Sequence, residues 1–244
     1  MAAERNWQEE FDGRVAWIRG LVESAGVKGI VFGNSGGKDS ALVGILCKAA
    51  CENTVGIIMP CASKRNYGED ADDGRALAAQ YGIETRVVDL TEVRERELEA
   101  LKGVSELNDA AVTNIAPRLR MTTLYTIAAA EGRLVAGTGN RSEIYMGYFT
   151  KWGDGASDFN PVADLTATEV FAFLRWLKAP AHIVEKAPSA GLYEGQTDET
   201  EMGVTYRAID TWLQEGTATE KDLAVIERFH SRSEHKRRPI PTYR

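Results

Sequence analysis

Gly29-Ile30-Val31-Phe32-Gly33-Asn34-Ser35-Gly36-Gly37-Lys38-Asp39-Ser40 passes from an apolar run into a glycine-rich turn and then into an apolar helical pattern. The first four residues read as a buried strand. The glycines let backbone N–H groups approach an anion at the start of the following helix, where unpaired donors and the helix dipole favour negative charge. The stretch therefore predicts a phosphate-binding turn at the carboxyl end of a strand, and a triphosphate such as ATP as its ligand. The general pattern G-x-x-x-x-G-K-[ST] is not met, because Asp39 stands where that pattern needs a hydroxyl. A carboxylate beside a phosphate nest repels the nucleotide unless a divalent cation lies between them, so Asp39 points to Mg²⁺. The competing reading is a plain turn capped by Ser35 or Asp39.

Outward from this turn the pattern repeats. Trp7, Phe11, Val15, Ile18, Leu21 and Val22 follow helical spacing ahead of the strand, and a helix over Asp39 to about Ala50 follows the turn. A second strand, Val55–Met59, ends at Pro60; a helix near Glu69–Tyr81 precedes a third strand, Thr85–Val88. One long helical stretch from Glu106 to Glu131 then leads to the strand Arg133–Ala136 and a second glycine turn, Gly137-Thr138-Gly139. Gly147–Pro161 reads as a functional loop, helices resume near Thr166, and Asp198–Gln214 and Glu220–Phe229 read as helices, the latter with Thr219 as N-cap. Alternating strands and helices predict an α/β, Rossmann-like parallel sheet with helices on both faces, ligands gathering beyond the strands' carboxyl ends.

The 244 residues, 43% of them hydrophobic, suit one domain spanning the chain, residues 1–244. The net charge of −7 speaks against an extended nucleic-acid surface. No apolar run is long enough to cross a membrane, and the start, with Glu4, Arg5, Glu9 and Glu10, lacks a signal peptide's apolar centre. Cys47, Cys51 and Cys61 form no metal pattern, and their odd number speaks against a disulfide framework, so a reduced, cytoplasmic protein is expected. The basic end, with Arg232, His235, Lys236, Arg237, Arg238 and Arg244, suits either a small anion or a solvated terminus.

The string Ser35-Gly36-Gly37-Lys38-Asp39-Ser40 resembles the signature of the ATP pyrophosphatases, which have the adenine nucleotide alpha hydrolase-like fold. Further strings, in order, resemble the ammonia-dependent NAD synthetases: Arg118-Leu119-Arg120-Met121, Gly137-Thr138-Gly139-Asn140-Arg141-Ser142-Glu143, and Gly147-Tyr148-Phe149-Thr150-Lys151-Trp152-Gly153-Asp154-Gly155. Asp158-Phe159-Asn160-Pro161, Pro188-Ser189-Ala190-Gly191-Leu192, Gln196-Thr197-Asp198-Glu199 and His235-Lys236-Arg237 extend the match over nearly the whole chain.

The resemblance implies a ligase that amidates deamido-NAD with ammonia, consuming ATP and releasing AMP and pyrophosphate through an adenylylated intermediate. It implies ATP contacts at Gly33, Asn34, Ser35, Gly36, Gly37, Lys38, Asp39, Ser40, Thr138 and Ser189, and Mg²⁺ held by the catalytic pair Asp39 and Glu143. Taken alone, Glu143 reads equally as an exposed acid at a helix start. Arg118, Lys151, Asp158, His235 and Lys236 are the implied deamido-NAD contacts, their types suited to a pyrophosphate and to ribose hydroxyls. Tyr148 or Phe149 is a candidate to stack on the nicotinate ring, with core packing the alternative. A homodimer is implied, with Arg118–Ala130, including Leu119, Met121, Leu124, Tyr125 and Ile127, as a contributor. With about 28 residues ahead of the first strand, no fused glutaminase is expected, and free ammonia is the expected nitrogen donor.

One position departs from the family pattern: Ala167, in Leu165-Thr166-Ala167-Thr168-Glu169-Val170, stands where a phosphate-binding lysine is common. Lys38 is a candidate to replace that charge, unless its side chain faces solvent. Two alternatives stay open: another ATP pyrophosphatase, and an inactive nucleotide-binding protein of the same fold. Three clustered cysteines do not favour thiolation, and an acidic chain does not favour tRNA modification.

Overall fold

Residues 5–62, 67–185 and 197–243 are described by the structure, a computed structural model. Four parallel strands form one sheet: β1 (Gly29–Gly33), β2 (Thr54–Ile58), β3 (Glu84–Val87) and β4 (Arg133–Ala136), in the order β3-β2-β1-β4. β1 lies at the centre, Val31 opposite Val55 on one side and Val135 on the other. Its side chains alternate between two cores, as strand geometry requires. Ile30 and Phe32 join the core shared by α1 (Trp7–Ala25), α2 (Lys38–Ala50) and α3 (Glu69–Tyr81), while Val31 joins Val55, Ile57 and Val135 on the opposite face.

That second face is covered by a helix over Ile115–Glu131, with Thr91–Leu101 beside it; α4 is Thr91–Leu101, α5 Asp109–Thr113 and α6 Ile115–Glu131. The fold class read from the alternation, a parallel sheet with helices on both faces, is the one observed. The single helix expected over Glu106–Glu131 is two. Pro117 lies in the first turn of α6, and a proline ring there conflicts with the carbonyl four residues back, at Thr113, where α5 ends.

After β4 come α7 (Arg141–Met146), α8 (Ala167–Trp176) and α9 (Ala181–Glu185). The stretch expected as one helix over Asp198–Gln214 is also two, α10 (Asp198–Met202) and α11 (Tyr206–Glu215). Gly203 ends α10 at φ 76°, a conformation glycine adopts without a Cβ penalty, and Thr205 caps α11 by accepting from Ala208 N. Thr219 caps α12 (Glu220–Arg232), as the sequence predicts, and α13 (Glu234–Arg237) follows. Met146, Ala167, Met202, Val204, Tyr206, Ile209 and Ile226 form a third core, which packs these last helices against α7 and the start of α8.

No described helix is long and apolar enough to cross a membrane. All three cysteines are free, Cys47 and Cys61 buried.

Candidate active site

β1 sends its chain to α2 on one side of the sheet while its other neighbour, β4, continues into α7. The crevice between the two exits is the switch point at which α/β sheets take ligands. A cavity of about 1170 Å³ opens there, lined by both glycine turns, the ends of β1, β2 and β4, and parts of α6 and α12.

Local hydrogen bonds shape the first turn. Asn34, buried, donates from Nδ2 to Gly74 O at 2.9 Å and so ties the turn to α3. Gly36 holds φ at 72°, and a Cβ there would lie 2.2 Å from Asp70 O, so only glycine fits. Ser35 Oγ lies 3.0 Å from Ser40 Oγ, and the Ser40 hydroxyl also donates to Gly37 O. No side chain caps α2 at Gly37, which leaves its first-turn amides to an anion.

The second turn supplies the other half. Asn140 caps α7 by accepting from Glu143 N, and the Glu143 carboxylate accepts from Asn140 N at 3.1 Å, a reciprocal capping box. Asn140 Nδ2 then donates to Asp39 Oδ1 at 3.0 Å. The remaining oxygens share one cation: Lys38 Nζ lies 2.5 Å from Asp39 Oδ2 and 3.7 Å from Glu143 Oε1. Tyr206 closes the group, donating to Asp198 Oδ2 at 3.0 Å with its hydroxyl 3.5 Å from Glu143 Oε1.

Burial, then the adjacent Asp39 charge, pushes the Glu143 carboxyl up to about 8, against the pull of Lys38. Burial alone would lower the Lys38 ammonium, but Asp39 and Glu143 together hold it above its ordinary value. Lys38 does not face solvent; its side chain is 5% exposed, and the ammonium stands 5.6 Å from the Phe171 ring and 5.3 Å from that of Tyr206. Ala167 is fully buried at the start of α8.

Two hard carboxylate oxygens directed at one cation position fit Mg²⁺, which binds through one or two carboxylates plus phosphate oxygens and water. Among the described residues no group of three or more His, Cys, Asp or Glu side chains is arranged to hold a metal alone. Phosphate and water would complete the shell.

Of the residues expected from sequence, Gly33, Asn34, Ser35, Gly37, Lys38, Asp39, Ser40, Thr138, Glu143 and Lys236 line the cavity. Gly36 shapes the turn from behind. Ser189 lies outside the described residues. Arg118 is exposed on α6, away from the lining. Asp158 is committed within the chain: Oδ2 accepts from Val135 N at 2.8 Å and Oδ1 from the Tyr125 hydroxyl at 3.3 Å.

The basic end is docked through α13, residues 238–243 past it are exposed, and Arg244 lies outside the described residues. Lys236 Nζ donates to Gly147 O at 2.8 Å and Phe149 O at 2.6 Å, while Lys151 Nζ donates to His235 O at 2.7 Å. The C-terminal helix thus fixes the loop that carries Tyr148 and Phe149, both of which line the cavity. The Tyr148 hydroxyl donates to Glu201 at 2.6 Å. The Phe149 ring lies against Gly155, with Lys236 Nζ 5.3 Å from its centroid.

Asn140, Asp198 and Tyr206 join the site although their sequence context alone assigns them no role. The spacing Asn140-x-x-Glu143 is a capping-box signature, so Asn140 was findable. Tyr206 reaches the site through tertiary packing and has no local signal.

Known proteins resemble this chain along its length. The NH(3)-dependent NAD(+) synthetase of Carboxydothermus hydrogenoformans is 47% identical over 236 residues, 96% of each chain. The NMN synthetase of Francisella tularensis superposes with a TM-score of 0.93 at 36% identity, over 98% of this chain and 99% of that one. The NH3-dependent NAD synthetase of Campylobacter jejuni superposes at 0.80 with 27% identity, over 99% of this chain and 100% of that one. With residues 10–240 matching the NAD synthase family model as well, the chain belongs to the NAD synthase family.

Proposed function

We propose that this protein is an ammonia-dependent NAD synthetase, a ligase that amidates the nicotinate carboxylate of deamido-NAD using ATP. The observation that carries the reading is the convergence of Asp39 and Glu143, from two adjacent strand exits, beside the uncapped start of α2. A carboxylate is a poor electrophile, so it must first be activated. A carboxylate oxygen bonds to the α-phosphorus of ATP as the bond to the pyrophosphate oxygen breaks. Ammonia then bonds to the carbonyl carbon, AMP leaves with the C–O electron pair, and the nitrogen loses its extra proton.

This chain's residues orient and neutralise. The first-turn amides of α2 and the hydroxyls of Ser35 and Ser40 receive phosphate, with Thr138 beside them. Asp39 and Glu143 would hold Mg²⁺, which when bound screens the meeting of two anions. Lys236 and Lys151 keep the loop of Tyr148 and Phe149 against the cavity, where a planar nicotinate ring can stack. Arg118, Lys151 and His235 complete the dinucleotide site in a homodimer, which suits an exposed Arg118 on α6, while Asp158 anchors β4 behind it. Three free cysteines suit a cytoplasmic setting.

The likeness to the Francisella tularensis NMN synthetase favours a second reading, in which the acceptor is the mononucleotide, nicotinate mononucleotide. Parallel assays test both. Deamido-NAD and nicotinate mononucleotide are each supplied with ATP, Mg²⁺ and ammonium or glutamine, and amide, AMP and pyrophosphate are counted. Faster amidation of deamido-NAD with ammonium supports the main reading; faster amidation of the mononucleotide replaces it with the second. No amide from either acceptor, by folded protein, overturns both.

A further inference from the structure

Lys38 is the first residue of α2, and its ammonium is placed between the two carboxylates that suit a divalent ion. The side chains around it favour a cation there, against the positive end of the α2 dipole. Asp39 Oδ2 and Glu143 Oε1 lie at 2.5 and 3.7 Å, and the Phe171 and Tyr206 rings stand on either helix packed over it. Tyr206 is itself held by its hydrogen bond to Asp198. The lysine is therefore seated, with its charge fully matched and its stem out of water.

A metal ion at Asp39 and Glu143 would need those same two oxygens. A monovalent and a divalent cation cannot share them in a buried site without strong repulsion. Lys38 also lines the cavity next to Ser35, Gly37 and Ser40, which form the anion-receiving start of α2. A triphosphate arriving there offers the ammonium a second, more strongly charged partner within reach of its flexible stem. ATP thus favours the position of Lys38 that frees the carboxylates, and a ligand can shift an equilibrium only through such differential affinity.

We propose that Lys38 is a positioning residue that acts as a placeholder cation: it occupies the Asp39–Glu143 pair in the nucleotide-free enzyme and yields it when ATP binds, so that metal enters only with the nucleotide. By linkage, metal and ATP then strengthen each other's binding equally. The inference deepens the ATP-using reading above and depends on it, but its test reads metal binding and not amide formation.

The probe is Mn²⁺, followed by the electron paramagnetic resonance signal of the free ion, with the full-length parent, Lys38→Gln and Lys38→Arg, each with and without ATP. The parent should bind Mn²⁺ weakly until ATP is added, the Mn²⁺ that ATP itself chelates being subtracted with a protein-free control. Lys38→Gln should bind it without ATP at least about tenfold more tightly, a difference of about 1.4 kcal/mol. Lys38→Arg, which keeps the charge, should restore exclusion. Equal nucleotide-free affinities in the parent and Lys38→Gln, whether tight or weak, overturn the proposal. Thermal unfolding shows whether Lys38→Gln is folded; if it is not, Lys38→Met takes its place under the same criteria, and tight nucleotide-free Mn²⁺ binding by the parent overturns the proposal. Calorimetry that finds no ATP binding at all removes the underlying functional reading instead.

Discussion

Asn140 donates from Nδ2 to Oδ1 of Asp39 at 3.0 Å, joining the first turn of α2 to the N-cap of α7 across the mouth of the sheet. The same side chain accepts from Glu143 N at 3.1 Å, so one buried amide sets the spacing of both carboxylates. Removing it should cost both stability and catalysis.

Asn140→Ala should lose about 1 kcal/mol of stability with the cap and fall at least tenfold in kcat, about 1.4 kcal/mol in the barrier. Asn140→Asp keeps an N-cap acceptor but loses the donor to Asp39 and adds a third negative charge. Its activity should fall as far while its melting temperature falls less. Equal activity in the parent and Asn140→Asp would refute the assignment of Asn140 as the spacer.

Lys38 and Ala167 should be coupled. Ala167 packs in the same cluster as Tyr206, and Phe171, whose ring also stands by the Lys38 ammonium, lies one turn along the same helix. Lys38→Ile should lose about tenfold in kcat/KM for ATP, about 1.4 kcal/mol, and adding Ala167→Lys should recover most of it. An unaffected Lys38→Ile enzyme excludes the role, as measured by initial rates at low ATP.

Acid should loosen the attachment of α1. Arg14 holds Asp164 with two hydrogen bonds of 2.6 and 2.7 Å, and Arg5 adds a third at 3.1 Å. Burial works against the Asp164 charge, but the Arg14 hydrogen bonds and charge prevail and keep its pKa below the ordinary carboxylate value. A carboxyl with a depressed folded pKa stabilises the fold above its unfolded pKa and loses that contribution as pH falls through the folded one. Asp164→Asn should therefore melt below the parent at neutral pH, and the gap should close below about pH 4. A gap unchanged between pH 7 and pH 3 contradicts this.

Gly147→Ala should detach the C-terminal helices. Gly147 ends α7 at φ 64°, and a Cβ there would meet Ser233 Cβ at 2.1 Å. Ser233 is buried and donates to Met146 O at 3.1 Å, so it has no room to withdraw. The substitution should cost about 1–3 kcal/mol by thermal unfolding. It should raise KM for deamido-NAD more than for ATP, because the Lys236 contacts to Gly147 and Phe149 loosen first.

Much of this was legible in the sequence. The strand, glycine turn and helix at 29–50 carry their periodicity and turn chemistry locally, and so fixed the sheet and its ligand-binding edge. Helix breaks were harder: the signals at Pro117 and at Gly203 with Thr205 were present but weaker than the surrounding apolar spacing. The seat of Lys38 was not legible, because it depends on Tyr206 and Phe171, brought together by packing of α11 and α8. Nor was the commitment of Asp158 to Val135 N and Tyr125, since a carboxylate that anchors a strand has the same sequence as one that binds a sugar.

The most direct test of the activation chemistry places ¹⁸O in the nicotinate carboxylate of deamido-NAD and follows it by mass spectrometry during amidation with ammonium. Attack on the α-phosphate predicts one labelled oxygen in each AMP formed and none in pyrophosphate. NAD formed alongside unlabelled AMP, or alongside ADP and labelled phosphate, would contradict the adenylylated intermediate.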